Sequence, residues 1–339
     1  MPQYTALNTQ PDAHFHSPAQ PPKTAVLLVN LGTPDEPTTN AVRRYLAEFL
    51  SDPRVIEIPR WIWWCILHAV ILRIRPKKSA ALYRSIWTQE GSPLMVIAKR
   101  QTAAIQSALG DTVSVKLAMR YGNPSIKSVL DEFQQEAVRK IIVLPLYPQY
   151  AGPTTGSAFD AVMDALKKWR WVPELHFINQ YCDQPLYIDS LANSIRDYLD
   201  THEKPQKIIF SYHGIPQRYL VAGDPYFCFC QKTTRLVQEK LGLDKDDCIT
   251  SFQSRVGREE WLKPYTDEVL SALPGKNIKN IAIISPAFSA DCLETLEELA
   301  VENCHRFINA GGESYHYIPA LNDRPDHIHA LASLLREHL

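Results

Sequence analysis

Several features are missing from this chain of 339 residues, and each absence removes a class of function. The formal net charge is −1, so no overall basic field draws the protein to nucleic acid. Residues 1–22 are polar and proline-rich and lack the apolar centre of a secretory signal. They read as a disordered tail, with His14 and His16 in water. Seven cysteines occur with no Cys-x-x-Cys pair. Without a signal, they are expected to be reduced thiols of a cytoplasmic protein. The greasiest stretch, starting at Trp61, falls short of the roughly 20 apolar residues that span a bilayer. The loop Gly152-Pro153-Thr154-Thr155-Gly156-Ser157 lacks the lysine of a phosphate loop, which excludes a nucleotide there.

What remains is ordinary for a soluble globular protein: 45 % apolar and 22 % charged residues, at a length that suits two domains. Short apolar strands alternate with amphipathic helices, which predicts an α/β fold of parallel sheets flanked by helices. Strands are expected over 24–30, 113–119, 141–145, 175–178, 208–210, 249–253, 280–285 and 315–319. Helices are expected over 40–50, 80–87, 95–109, 125–138, from the Ser157 loop to about 170, 186–199, within 224–242 after a loop, over most of 261–273 and over 327–339, with one more opening near Ser289 or Asp291. Strand 24–30 ends in Leu31-Gly32-Thr33-Pro34, and strand 208–210 runs on to His213-Gly214-Ile215-Pro216. Likewise Ile141 to Tyr147 matches Ala282 to Phe288 in pattern. Two similar units, 23–180 and 181–324, closed by a helix in 325–339, account for this; chance likeness between buried strands is the rival reading.

If the units are related, Leu31 of the first stands where the second has His213, and Tyr150 where it has Asp291. The second unit then carries the titratable chemistry and the first the opposing wall. His213 lies just past the carboxyl end of a strand, where open α/β sheets place ligands. A histidine there is also often plain hydrogen-bonded structure. Asp291, Glu294, Glu297 and Glu298 crowd carboxylates into about two turns, with Asp291, Glu294 and Glu298 on one helical face. Their repulsion calls for a cation or a bound proton, unless the helix simply faces water. Oxygen and imidazole ligands suit a borderline divalent metal such as Fe(II).

Residues 60–78 put Trp61, Trp63 and Trp64 at one end and Arg73, Arg75, Lys77 and Lys78 at the other. That pattern fits a lip over a large apolar ligand or a membrane interface; a core helix is the plain alternative. Those cations, with Arg43 and Arg44, suit ligand carboxylates or lipid head groups, or water alone. Cys182, Cys228, Cys230 and Cys248 supply enough thiolates for an iron–sulfur cluster, but at no common cluster spacing; buried thiols are the simpler reading.

Six motifs in this order resemble the ferrochelatase family. They are Asn30-Leu31-Gly32-Thr33-Pro34, Gly91-Ser92-Pro93-Leu94-Met95, Leu146-Tyr147-Pro148-Gln149-Tyr150 with Thr154-Thr155-Gly156-Ser157, Ser211-Tyr212-His213-Gly214-Ile215-Pro216, Phe252-Gln253-Ser254-Arg255, and Asp291-Cys292-Leu293-Glu294-Thr295-Leu296-Glu297-Glu298. The resemblance runs from Thr24 to about Leu339 and is nearest the Gram-negative bacterial form. It implies two Rossmann-like domains around a porphyrin, with protoporphyrin IX and ferrous iron as substrates and no organic cofactor. It puts the family's iron-binding and catalytic pair on His213 and Glu294. Asp291 and Glu298 fall on its acidic path for metal or protons, and the stretch from Trp61 on its membrane-facing lip. Leu31, Arg120, Tyr121, Tyr150 and Trp61 are expected against the ring. Cys292 stands where animal members have histidine, so no ligand role carries over to it. The cysteine-rich extension of animal members has no counterpart, so their cluster is not implied. A cytoplasmic enzyme touching the inner membrane follows. Another tetrapyrrole chelatase, for coproporphyrin, sirohydrochlorin or cobalt, and a non-enzymatic haem carrier are the competing functions.

Overall fold

A computed structural model describes residues 23–339. The expected tail, with His14 and His16, lies outside the described residues. Eight strands form two four-stranded parallel sheets. The first holds β1 (Lys23–Gly32), β2 (Val113–Tyr121), β3 (Val138–Pro145) and β4 (Glu174–Phe177) in the order β2-β1-β3-β4. The second holds β5 (Lys207–His213), β6 (Cys248–Gln253), β7 (Asn280–Ile284) and β8 (Ser314–Ile318) in the order β6-β5-β7-β8. The order is the same in both sheets, as the paired sequence patterns suggested.

Side-chain alternation along the strands explains the layering. In β1, Val26 and Leu28 enter one core, whereas Ala25, Leu27 and Val29 enter another beneath the helices Ile126–Gln135 and Ser157–Leu166. In the second sheet, Phe210, Ala282 and Ile284 join Val26 and Leu28, while Ile209, Ile281 and Ile283 face the opposite way. The strands are apolar on both faces because both faces are covered. One core is therefore continuous between the two sheets, and the helices Pro93–Leu109, Pro185–Leu199 and Pro325–Arg336 pack together there. Full burial of a leucine such as Leu28 is worth roughly 2 kcal/mol. The expected boundary at 180/181 falls in the connection between β4 and the helix Pro185–Leu199.

Three local expectations change. Ser125 caps its helix by accepting the Ser128 N–H at 3.1 Å, but the helix ends at Gln135 because β-branched Val138 already begins β3. The segment 261–273 is helical only over Thr266–Ala272; Pro264 has no N–H to donate, and its carbonyl accepts the Phe252 N–H at 2.9 Å. The acidic helix opens later than expected and as a π-helix, Glu294–Asn303, so Asp291 precedes it.

Candidate active site at the seam between the sheets

The lip is built by the helix Arg60–Ile66, a π-turn Leu67–Ile71 and the helix Leu72–Ile86. It divides by face. Trp63, Leu67 and Leu72 are buried, and the Trp63 indole donates to the Leu50 carbonyl at 2.6 Å. Trp61 is 75 % exposed, Ile74 70 % and Trp64 63 %. The core-helix and lip readings thus each describe one side. The buried side gathers Tyr45, Tyr83, Tyr121 and Leu31 into one apolar cluster, and Leu293 of the second half packs into it.

Glu294 follows directly, at the start of its π-helix, half-buried. Burial raises the Tyr45 and Tyr83 hydroxyls well above their ordinary range, and the Glu294 carboxylate raises both further. A second-half carboxylate therefore lies close to the wall of the first half. Burial also raises the Cys292 thiol, and the charge of Glu294 and its hydrogen bond add to this.

His213 ends β5. Its Nδ1 lies 2.7 Å from the Gly214 carbonyl. A carbonyl only accepts, so Nδ1 is the donor, and in the neutral imidazole the lone pair lies on Nε2. Trp261 and Phe288 flank the ring, each with centroids 6.4 Å away. Gly214 is needed beside it: a Cβ there would sit 2.9 Å from the Gln253 carbonyl oxygen, which accepts the Gly214 N–H.

Gln253 ties His213 to Glu294. It is paired with His213 across β5 and β6, and its Nε2 donates to the Glu294 carbonyl at 3.0 Å. Next to it Ser254, at φ 65°, donates its N–H and Oγ–H to Glu298 at 2.8 and 2.5 Å. Burial pushes Glu298 up to about 7; the Ser254 hydrogen bonds oppose this and the Glu294 charge adds to it. Glu298 is thus a carboxyl able to hold or release a proton near neutrality.

Asp291 departs from its expected place on the path. It is buried, and it accepts hydrogen bonds from Tyr317 at 2.6 Å, Asn322 at 2.7 Å, Thr295 at 2.9 Å and the Ala320 N–H at 3.3 Å. Its lone pairs fasten the loop before the π-helix to the segment after β8. Tyr121 is also corrected. It is fully buried, with its hydroxyl donating to Asp52 at 2.8 Å, and so has no surface for a guest. Arg120 donates to Asp52 at 2.5 Å and to Ser157, so its charge is already matched. Leu31, next to last in β1, and Tyr150, in the loop after β3, are each partly buried. The Tyr150 hydroxyl lies so near Gly156 that a Cβ there would come within 3.1 Å of it.

Of the proposed cluster thiols, Cys182 and Cys230 are buried, Cys248 is partly so and Cys228 is exposed. Burial raises Cys182 to about 12 and Cys248 to about 11, which disfavours thiolates. Among the described residues, no three His, Cys, Asp or Glu side chains converge to hold a metal. A cavity of about 510 Å³ between the helix Pro185–Leu199 and the loop after β8 includes neither His213 nor Glu294.

The family profile described as Ferrochelatase matches residues 23–339. The chain belongs to the ferrochelatase family. Ferrochelatase 2 of Shewanella oneidensis is 60 % identical over 320 residues, covering 94 % of this chain and 98 % of that protein. The ferrochelatase of Marinobacter nauticus is 54 % identical over 324 residues, covering 94 % and 88 %. The solved structure of SirB from Bacillus subtilis with Fe3+ covers 93 % of this chain and 95 % of its own at a TM-score of 0.54; at 12 % identity this likeness shows the fold alone. The chain is accordingly a ferrochelatase-type enzyme that inserts metal into a porphyrin, with iron as a substrate and haem biosynthesis as its setting. Identity above 50 % to ferrochelatases does not favour the sirohydrochlorin chelatase or carrier readings. Sequence reasoning gave no role to Tyr45, Tyr83, Asp52 or Gln253. Only Gln253 carried a signal, as part of the Phe252-Gln253-Ser254-Arg255 motif.

Proposed function

We propose that the seam between the lip and the second sheet binds protoporphyrin IX, and that His213 and Glu294 carry out insertion of ferrous iron into it. The reaction replaces two pyrrole N–H bonds by iron–nitrogen bonds and releases two protons, with no change of oxidation state. The observation that carries this reading is that His213, whose Nδ1 bonds the Gly214 carbonyl, shares one hydrogen-bonded frame with the backbone of Glu294. A neutral imidazole with an open lone pair accepts a pyrrole proton or touches the metal. A site with fewer than three convergent protein ligands suits a metal in transit, whose remaining ligands come from the porphyrin and water. Glu298, near neutral in its proton affinity, is placed to pass protons on from Glu294. Leu31, Tyr150 and the lip side chains not packed inward form the wall against the macrocycle, and a tight wall strains a flat ring toward exposing its N–H groups.

The exposed indoles of Trp61 and Trp64, with Arg73, Arg75, Lys77 and Lys78 exposed further along, suit peripheral contact with a membrane surface from the cytoplasmic side. No helix among the described residues is long and apolar enough to cross a membrane. The test is anaerobic addition of ferrous iron to enzyme and excess protoporphyrin IX. Loss of porphyrin fluorescence over many turnovers is expected; a single stoichiometric change would indicate a carrier. Repeating the assay with cobalt and with sirohydrochlorin separates the other chelatase activities.

A further inference from the structure

We propose that Gln253 is a positioning residue for metal insertion, its side-chain amide fixing Glu294 relative to His213. The inference rests on the reading of His213 and Glu294 as the reacting pair. Gln253 is 3 % exposed, so its amide is removed from water and must be matched inside the protein. Its orientation is forced. The Glu294 carbonyl only accepts, so Nε2 faces it at 3.0 Å, and Oε1 then accepts the Ser211 hydroxyl at 2.8 Å. Ser211 lies two residues before His213 on the same strand and is fully buried. Its hydroxyl is 2.8 Å from that of Thr266, and its carbonyl accepts the Ser285 hydroxyl at 2.6 Å. The amide therefore has one end on the strand that carries His213 and the other on the first peptide of the helix that carries Glu294.

The backbone reinforces this arrangement. The Gln253 carbonyl accepts the Gly214 N–H at 2.9 Å, beside the imidazole. One residue thus touches both neighbours of the reaction through opposite faces of its own peptide and side chain. An apolar residue of the same length would leave Ser211 and the Glu294 carbonyl without these partners. The helix start would then settle where other donors allow, and reactive groups misplaced by about 1 Å lose on the order of a hundredfold in rate.

The test uses the full chain with Gln253→Met and, separately, Ser211→Ala, which frees the far end of the same amide without touching Glu294. Porphyrin affinity is read by fluorescence titration without metal, turnover by anaerobic stopped-flow with ferrous iron, and folding by the thermal midpoint. The expected result for Gln253→Met is a fall in kcat of tenfold or more with porphyrin Kd within about twofold, measured well below the thermal midpoint. Ser211→Ala should show a smaller fall of the same kind. Wild-type kcat in a folded Gln253→Met variant would overturn the proposal. So would kcat and porphyrin affinity falling together, which marks general loosening of the site. If Gln253→Met does not fold, Ser211→Ala decides by the same two readings. Failure of the wild-type chain to metallate porphyrin would instead overturn the functional reading beneath it.

Discussion

The two sheets share one strand order, yet they use charge in opposite ways. The first half neutralises its buried charge internally. Asp52, 3 % exposed in its side chain, accepts from Arg120, Tyr121 and Ser157, and Arg54 pairs with Asp160 at 2.6 Å. What its strand ends offer to the seam is Leu31 and Tyr150. On the proposed reading the second half supplies the His213 imidazole and the Glu294 carboxylate, linked through buried Gln253. On that reading one strand order serves both a half that shapes and a half that reacts. The first half is not uncharged; its buried charge at Asp52 is matched, while the cations of the lip face solvent.

This contrast is broken most severely by His213→Ala. Turnover should fall about 10²- to 10⁴-fold, the usual worth of a positioned acid–base group, while porphyrin still binds. Retained turnover would mean that the reacting side was misassigned. In the first half, Asp52→Ala should leave Arg120 unmatched and lower stability by about 3–5 kcal/mol, with porphyrin affinity affected only through folding. Urea unfolding compared with wild type measures this.

A third test uses pH. Glu298 has its folded pKa raised to about 7 from 4.5, so the folded state keeps a proton that the unfolded chain sheds, and stability falls as pH rises through that window. His327, fully buried, has its folded pKa lowered to about 4 from 6.5, and its share of stability is lost as pH falls through that window. The two slopes oppose each other between pH 4.5 and 6.5. Glu298→Gln removes one of them. The stability of that variant relative to wild type should then climb with pH by about 1 kcal/mol per unit. A constant difference would place Glu298 in ordinary solvated surroundings. Trp61→Ser should move stability least, by less than about 0.5 kcal/mol, because the side chain is exposed. It should still weaken binding to anionic vesicles in a flotation assay.

The strands were legible in the sequence because both faces of each sheet are covered, leaving short unbroken apolar runs between turn residues. His213 was legible because Gly214 and Pro216 mark the strand end so sharply. The partners of Asp291 were not legible because three of its four donors, Tyr317, Ala320 and Asn322, lie 26 to 31 residues further along. Nothing local shows that its lone pairs are already filled. The helix onset was missed because Asp291 resembles an N-cap in composition, whereas tertiary hydrogen bonds hold it outside the helix. Tyr121 looked available beside Arg120 until the fold brought up Asp52 and Ser157 from distant segments.

Leu293 is the peptide neighbour of Glu294, and its side chain is lodged among Tyr45, Tyr83 and the buried indole side of the lip. The doorway and the carboxylate are therefore geared together. If Glu294 is the reacting acid, its place is tied through a single peptide bond to how the lip packs.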